Sequence, residues 1–214
     1  APRPQADPGT LAPARIVGAY RIVLVDPVSR RFGASAIIGL SMLISYLVSA
    51  APIFLTGYGL SPGAFGLVFA AIAVCSALGS LVNTRLVRRL PLETIIRTAF
   101  AGAAVAMLGG LLLVALDHAM PWILVLPFGA FFFAFNIILA NATSLAMRPH
   151  GRIAGAAASV LGVLQSLIPA GVAMLVALLG DGTARPPMLV MLALALLGLW
   201  VVRQGAAQTH KAPS

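Results

Sequence analysis

The sequence predicts an all-α membrane protein with six transmembrane helices, and three observations support this. First, 60% of the 214 residues are hydrophobic and only 9% are charged, whereas a soluble domain carries about 25% charged residues. Second, long stretches lack Asp, Glu, Lys, Arg and His, namely 32–84, 98–116, 119–147, 153–180 and 186–202. Third, the alternating pattern of a membrane β-barrel is absent. Helices are therefore expected, because they satisfy their own backbone polar groups in hydrocarbon.

The number of helices follows from the lengths of these stretches. One span needs about 20 apolar residues, so the first stretch is too long for a single helix. It contains the run TGYGLSPG at 56–63, which has turn chemistry and divides it into two spans. The predicted helices are 33–55, 62–82, 94–116, 122–146, 153–179 and 187–202. Residues 32–202 thus form one transmembrane domain, followed by a polar tail at 203–214.

Residues 1–31 precede the first predicted span. Their beginning is rich in proline and polar residues, a composition typical of a linker. From about residue 15 the apolar residues follow helical spacing, with arginines among them, which fits a short interfacial helix. A plain linker that carries some apolar residues fits nearly as well.

The net charge of +9 is explained by topology. With six spans both ends of the chain lie on the same side, and all Lys and Arg residues except Arg185 fall on that side. The positive-inside rule makes this side cytoplasmic. Arg85, Arg88 and Arg89 then mark the cytoplasmic end of the second helix. The lipid bilayer is the predicted partner, and no nucleic acid is expected.

Several kinds of chemistry are not supported by the sequence. The acidic residues Asp7, Asp26, Glu93, Asp117 and Asp181 all lie outside the middle of the spans, where a proton relay usually needs a carboxylate. There is one cysteine, and the three histidines lie in loops or the tail, so neither a disulfide nor a Cys/His metal site is predicted. We therefore expect no enzymatic activity, no catalytic or metal-binding residue and no cofactor.

Polar and aromatic side chains within the spans are the candidates for a substrate cavity. A polar group in hydrocarbon needs a partner, which is either another helix or a water-filled cavity, and aromatic rings can stack on lipophilic ligands. The candidates are Tyr46, Ser49, Phe132, Asn136, Asn141 and Gln165. Helix packing remains an equal alternative for the polar ones. Glu93 and Arg97 have the spacing of an ion pair along one helix.

Several stretches resemble a known family. GSLVNTRLVRR (79–89), YLVSAAPIFLTGYGLSPGAFGLVF (46–69) and NATSLAM (141–147) followed by AGAAASVLGVLQS (154–166) are similar to helices seven to eleven of a major facilitator superfamily transporter. The likeness extends over the chain and is greatest to the Bcr/CflA-type multidrug efflux group. It implies the C-terminal half, helices seven to twelve, of a major facilitator fold.

The resemblance also implies a cytoplasmic loop latch at Gly79, Asn83, Arg85 and Arg88. In the superfamily this loop carries a glycine, an acidic residue and arginines that hold neighbouring helix ends together. Asn83 stands where many members have Asp, which implies a weaker latch. Ala140 stands where the group often has Pro, a second departure from the pattern.

In function, the resemblance implies one half of a secondary active transporter that exports drug-like small molecules by alternating access. It is proton-coupled through acids in an N-terminal half, and spans one, two, four and five line the cavity. The implied location is a bacterial inner membrane, with both ends of this multi-pass chain cytoplasmic. The alternatives are a non-transporting six-helix membrane scaffold and a truncated transporter remnant. A sugar-type facilitator would need more Asn, Gln and Trp.

Overall fold

The computed structural model describes residues 25–118 and 120–204, except for the side chain of Arg152. Within these ranges the regular structure is entirely helical, as predicted. The long helices are α1 Pro27–Ala51, α2 Pro62–Leu86, α3 Leu92–Ala115, α4 Pro121–Met147, α5 Ala154–Leu179 and α6 Arg185–Arg203. A π-helical turn, Pro52–Gly57, prolongs α1, and a 3₁₀ segment, Arg148–Ile153, joins α4 to α5. All six helices are long and apolar enough to cross a membrane.

The starts of α1 and α2 are set by local capping. The carboxylate of Asp26 accepts a hydrogen bond from the backbone N–H of Ser29 at 2.7 Å, and the hydroxyl of Ser61 accepts one from Ala64 at 3.2 Å. Each cap is followed by proline at the first helical position, where its missing N–H costs no hydrogen bond. The start of α1 at Pro27 is therefore determined by its capping residues and not by the position at which charged residues end in the sequence.

Two predicted boundaries differ from the structure. Helix α1 begins six residues before the predicted start at 33, and α2 continues to Leu86 instead of ending at 82. Both differences arise because arginines lie within the ends of these helices, so a charge-free stretch underestimates their length. The other four helices agree with the prediction to within two residues at each end. The predicted interfacial helix and the tail beyond residue 204 lie outside the described residues.

Four helices form a closed ring in the order α1, α4, α3, α6, each packed against the next and α6 against α1. The other two are attached at the sides, with α2 packed chiefly on α4 and α5 chiefly on α1. Most of the surface of α2 and α5 is consequently exposed. Helix α6 approaches α3 closely, since a Cβ on Gly198 would overlap the phenyl group of Phe100. Small residues permit such close helix packing in membranes.

Polar contacts join the helices at the end where the arginines lie, called here the arginine-rich end. The Arg31 guanidinium of α1 pairs with the Glu93 carboxylate of α3 at 3.2 Å and donates to the backbone carbonyl of Val202 on α6. The Ser29 hydroxyl donates to the carbonyl of Ala146 on α4 at 2.8 Å. The ring nitrogen Nε2 of His150 lies 2.6 Å from the same hydroxyl.

The expected pairing of Glu93 with Arg97 is wrong. Across residues 25–118 and 120–204 the Arg31–Glu93 contact is the sole ion pair. The side chain of Arg31 is only 15% exposed, and that of Glu93 is 50% exposed. An ion pair stabilises a buried guanidinium more than it stabilises an exposed guanidinium. Glu93 therefore pairs with Arg31 of another helix and not with Arg97, one turn away on its own helix.

Candidate functional site

On the side of the ring formed by α1 and α4, a surface remains uncovered between the two side helices. Helix α1 packs against α4, α5 and α6. Its uncovered strip contains four residues at helical spacing, Leu40, Leu43, Leu47 and Ala51. Leu47 is 45% exposed. On α4, the strip between its contacts with α1 and α2 contains Val125, Phe132, Leu139 and Thr143, all half-buried. We call these eight residues the front face. It lies between α5 on one side and α2 on the other.

An aromatic cluster lies beside the front face, at the junction of α1, α2 and α4. The ring of Tyr46 is fully buried, and its centroid lies 4.8 Å from that of Phe128, 5.1 Å from Phe132 and 5.8 Å from Phe69. The tilted and edge-on arrangements are those that aromatic quadrupoles favour. The Tyr46 hydroxyl is buried and has no hydrogen-bond partner among the described residues. Phe132 therefore links this cluster to the front face.

Asn136 provides a polar group next to Phe132, one helical turn further along α4. Its amide nitrogen donates to the backbone carbonyl of Ser76 on α2 at 3.0 Å and also contacts the Ser76 hydroxyl. The side chain is half-buried at the edge of the front face. Asn136 thus serves α2–α4 packing in this structure, and it is also the amide closest in sequence to the front-face aromatic ring.

The predicted latch residues lie where α2 packs against α4 near the arginine-rich end. A Cβ on Gly79 would overlap the backbone carbonyl oxygen of Phe133, so the two helix backbones approach closely there. Beyond this crossing, the Asn141 amide nitrogen donates to Asn83 Oδ1 at 2.6 Å and to the carbonyl of Ile137 at 2.7 Å. These contacts fix the end of α2 against α4.

The two arginines of the predicted latch behave differently. Arg85 and Arg88 are exposed. Within the described part of the chain, neither guanidinium forms an ion pair. The polar contact between α2 and α4 at this end is therefore made by amides.

Ser49 and Gln165 lie away from the aromatic cluster. Ser49 donates to the Ser45 carbonyl at 2.8 Å and lines a separate cavity of about 190 Å³ between α1, α5 and α6. Gln165 is one helical turn from Leu161, whose side chain lies against Gly33 of α1. Its amide nitrogen is buried without a partner in the described residues. The structure thus places the six candidate residues in four environments rather than one.

The described carboxylates all lie at helix ends. Asp26 caps α1, Glu93 is in the first turn of α3, and Asp117 follows α3. Asp181, before α6, has its pKa lowered chiefly by hydrogen bonds from Thr183, whose hydroxyl and backbone N–H donate at 2.7 and 2.8 Å. No group of three potential metal ligands occurs in the described residues. Proton transfer through the middle of these helices would thus lack a carboxylate.

Sequence reasoning missed the polar contacts of Arg31, Ser29 and His150. All three are at the arginine-rich end, and Ser29 and His150 are buried. The signal that was available is the capping sequence Asp26-Pro27, which extends α1 far enough to place Ser29 and Arg31 among the neighbouring helix ends. Loop residues such as His150 carry no helical periodicity, so their burial depends on tertiary packing.

Comparison with known protein families assigns the fold to a family. Residues 1–170 match the Major Facilitator Superfamily. The chain belongs to this superfamily. A search of curated proteins finds no match. As a member of the superfamily, the chain is a multi-pass membrane protein of a transporter family that is generally non-enzymatic, and such a protein contacts lipid and small-molecule substrates.

Proposed function

We propose that the chain is the C-terminal half of a secondary active transporter and that its front face lines the substrate path. Transporters built from repeated bundles place the substrate site between the bundles, near the bilayer midplane. The side helices support this arrangement, because α2 and α5 each have one main neighbour within the chain and leave most of their surface free for a second six-helix half. Alternating access is then a rocking of the two halves about this face.

Lipophilic, drug-like molecules are the proposed substrates, as in the Bcr/CflA-type efflux group. The observation that carries this proposal is the position of Phe132, which stacks on Tyr46 and is half-buried on the front face next to Asn136. Aliphatic side chains and aromatic rings with a few polar groups are typical of sites for such ligands. A sugar would require many more hydrogen-bonding side chains than this surface offers.

Proton coupling is proposed to operate through the other half of the transporter. The four described carboxylates lie at helix ends, and the fifth acid, Asp7, precedes the first predicted span. A proton-coupled exporter therefore needs its intramembrane acid elsewhere. The strong bias of arginines to one side supports a bacterial inner-membrane location with both ends of the chain cytoplasmic.

The proposed conformational latch combines Gly79, Asn83, Arg85 and Arg88. The Gly79 crossing and the Asn83–Asn141 hydrogen bond support the first two members. Arg85 and Arg88 are exposed at the same helix end, so their proposed partners in the latched conformation alone are acids or carbonyls of the other half. A latch with the neutral Asn83 lacks an ion pair at this position and should hold its conformation more weakly.

Efflux of a fluorescent lipophilic dye from cells that express the native gene tests this function. We expect export that stops when the pH gradient is collapsed, and Phe132→Ala and Asn136→Ala should each reduce the rate at equal expression. Leu126→Ala is the matched control, because Leu126 is on the same helix and 70% exposed, away from the front face. Efflux that is independent of the gradient would exclude antiport. Unaltered rates in both front-face variants would exclude this substrate path.

The proposed half-transporter architecture has its own test, which is to read the native gene upstream of the codon for Ala1. Six further spans with an acid buried in one of them would establish the two-half arrangement and supply the proton site. A start codon just upstream would instead favour the scaffold or remnant alternatives, since proton antiport would then lack its carboxylate.

A further inference from the structure

A large cavity lies outside the front face, on the opposite side of α2. It is a groove of about 520 Å³ between α2 and α3, with α4 as its floor. Both α2 and α3 pack on α4 far more than on one another. Small residues of α3 and α4 keep the groove open, and these are Ala99, Gly102, Gly129, Ala130 and Ala134. The volume is within the range of about 300–1,000 Å³ that ligand sites occupy.

The groove has the length and position of one lipid chain. Its lining runs along α2 from Leu86 at the arginine-rich end to Cys75, which is about 16 Å at ~1.5 Å per residue. That is about half of the ~30 Å hydrocarbon core, the depth of a single leaflet. The lining is almost entirely apolar, and the hydroxyl of Thr98 is already bonded to the carbonyl of Ile95. An acyl chain therefore matches the groove in chemistry and in depth.

Positive charge lies beyond the Leu86 end of this groove. Backbone hydrogen bonds from Arg89 and Leu90 to the Leu86 carbonyl, both 2.9 Å, continue the helical winding beyond α2. Residues three or four apart share a helix face, whereas residues two apart do not. Arg89 thus lies on the same face as the groove residue Leu86, and Arg85 is one turn from Arg89, whereas Arg88 is two residues from Leu86 and lies off the Leu86 face. All three arginines are exposed.

We propose that this groove binds an anionic glycerophospholipid. One acyl chain lies between α2 and α3, and the phosphate is held by Arg85 and Arg89. In a bilayer the chain alone gains little from leaving other lipid tails, because hydrocarbon is no less apolar than the groove. Selection therefore rests on the headgroup, for which arginine offers paired N–H donors to phosphate oxygens. Basic pockets between transmembrane helices bind anionic headgroups in the same way.

Lipid retention by the purified protein, measured by native mass spectrometry, tests the proposal. The protein in mild detergent is incubated with phosphatidylglycerol or with phosphatidylcholine of identical acyl chains. We expect one tightly held phosphatidylglycerol and at least tenfold weaker retention of phosphatidylcholine. Each arginine near an anionic surface contributes about 1 kcal/mol, so Arg85→Gln with Arg89→Gln should weaken phosphatidylglycerol binding roughly 30-fold. Equal retention of the two lipids would overturn the proposal.

Two further variants distinguish a defined lipid site from nonspecific attraction of the lipid to positive charge. Arg88→Gln removes a charge two residues from Leu86, off the face that Leu86 and Arg89 share, and should weaken retention less than about threefold; an effect as large as that of Arg89→Gln would overturn the assignment. Ala130→Phe fills the groove and keeps every arginine, so it should abolish tight retention while the helix content by circular dichroism stays unchanged. Full retention by this variant, or equally tight binding of glycerol phosphate without chains, would exclude the acyl-chain groove.

Discussion

Asn141 of α4 donates a hydrogen bond from its amide nitrogen to the amide oxygen of Asn83 on α2, with 2.6 Å between the two atoms. Asn141 is almost fully buried, with 4% of its surface exposed. The two residues are 58 positions apart in the chain, and their contact joins two helices that are also linked by the hydrogen bond from Asn136 to Ser76. It lies directly beyond the close approach at Gly79.

Removal of either amide should weaken the contact between α2 and α4. Hydrogen bonds between membrane helices are worth about 0.6 kcal/mol on average and up to about 1.7 kcal/mol, so Asn83→Ala should lower the free energy of unfolding by about 1 kcal/mol. Asn141→Ala should cost more, because Asn141 also bonds the carbonyl of Ile137. Steric trapping or denaturant unfolding in detergent micelles measures both effects.

The double variant Asn83→Ala with Asn141→Ala supplies the control for this pair. If the two amides interact directly, the double variant should be about 0.5–1.5 kcal/mol more stable than the sum of the single effects predicts. Strict additivity of the two single effects would contradict the hydrogen bond.

Gly79→Ala tests the close approach of α2 to α4. The added methyl group would overlap the backbone carbonyl oxygen of Phe133, which cannot rotate away as a side chain can. Overpacking of this kind costs about 1–3 kcal/mol, and we expect that loss in unfolding free energy. Gly66→Ala on the same helix is the matched control, since nothing lies within 4 Å of the new methyl group. Equal stability of the two variants would contradict the described crossing.

Arg31 should be the most sensitive charged residue at the arginine-rich end. Arg31→Gln removes the ion pair with Glu93 and the bond to the Val202 carbonyl, so three helix ends lose a shared contact. We expect a cost of about 2 kcal/mol, by analogy with other part-buried charged hydrogen bonds. Glu93→Gln should cost less than about 1 kcal/mol because Glu93 is half-exposed. Arg97→Gln, an exposed position on α3, should have no measurable effect on thermal unfolding.

Tyr46→Phe separates the ring from the hydroxyl. The ring packs against three phenylalanines, whereas the hydroxyl has no partner in the described residues. A buried polar group without a partner costs about 1–3 kcal/mol, so Tyr46→Phe should leave the unfolding temperature unchanged or raise it. Tyr46→Ala should destabilise the protein by about 3–5 kcal/mol through loss of the ring. A marked loss of stability in Tyr46→Phe would indicate that a partner for the hydroxyl exists.

The titration of Asp181 should depend on Thr183. Hydrogen bonds from Thr183 stabilise the carboxylate and lower its pKa, so Thr183→Val should raise that pKa towards the ordinary value near 3.9. A lowered pKa in the folded state adds stability that is present above the unfolded pKa and is lost as the pH falls below about 4. Carboxyl chemical shifts followed by NMR between pH 6 and pH 2 measure the change. An identical titration in both proteins would contradict the loop geometry.

Much of the helical architecture could be read from the sequence because hydrocarbon imposes simple rules. A stretch such as 122–146 has to be helical once it is too apolar for water, and the helix observed is Pro121–Met147. The rule was least accurate at the start of α1, where Asp26 and Pro27 begin a helix that includes Arg30 and Arg31. Local capping there extends the helix beyond the charge-free stretch.

The candidate site was less predictable, because residue type does not reveal which neighbour a side chain meets. Ser49 and Tyr46 are three residues apart on α1, yet Ser49 lines the cavity beside α5 and α6, and Tyr46 packs among rings of α2 and α4. Likewise Glu93 could pair with Arg97 by spacing alone, but it pairs with Arg31 of another helix.

The sequence by itself determined that lipid surrounds the helices, how many helices there are and which side of the protein is basic. These properties follow from the lengths of the apolar stretches and from the positions of the charged residues. The tertiary structure decided which helix faces are covered. The close approach at Gly79 and the pairing of Asn83 with Asn141 depend on how two helix backbones cross. The geometry of such a crossing depends on many small packing contacts between residues distant in the chain, so local sequence patterns do not predict it.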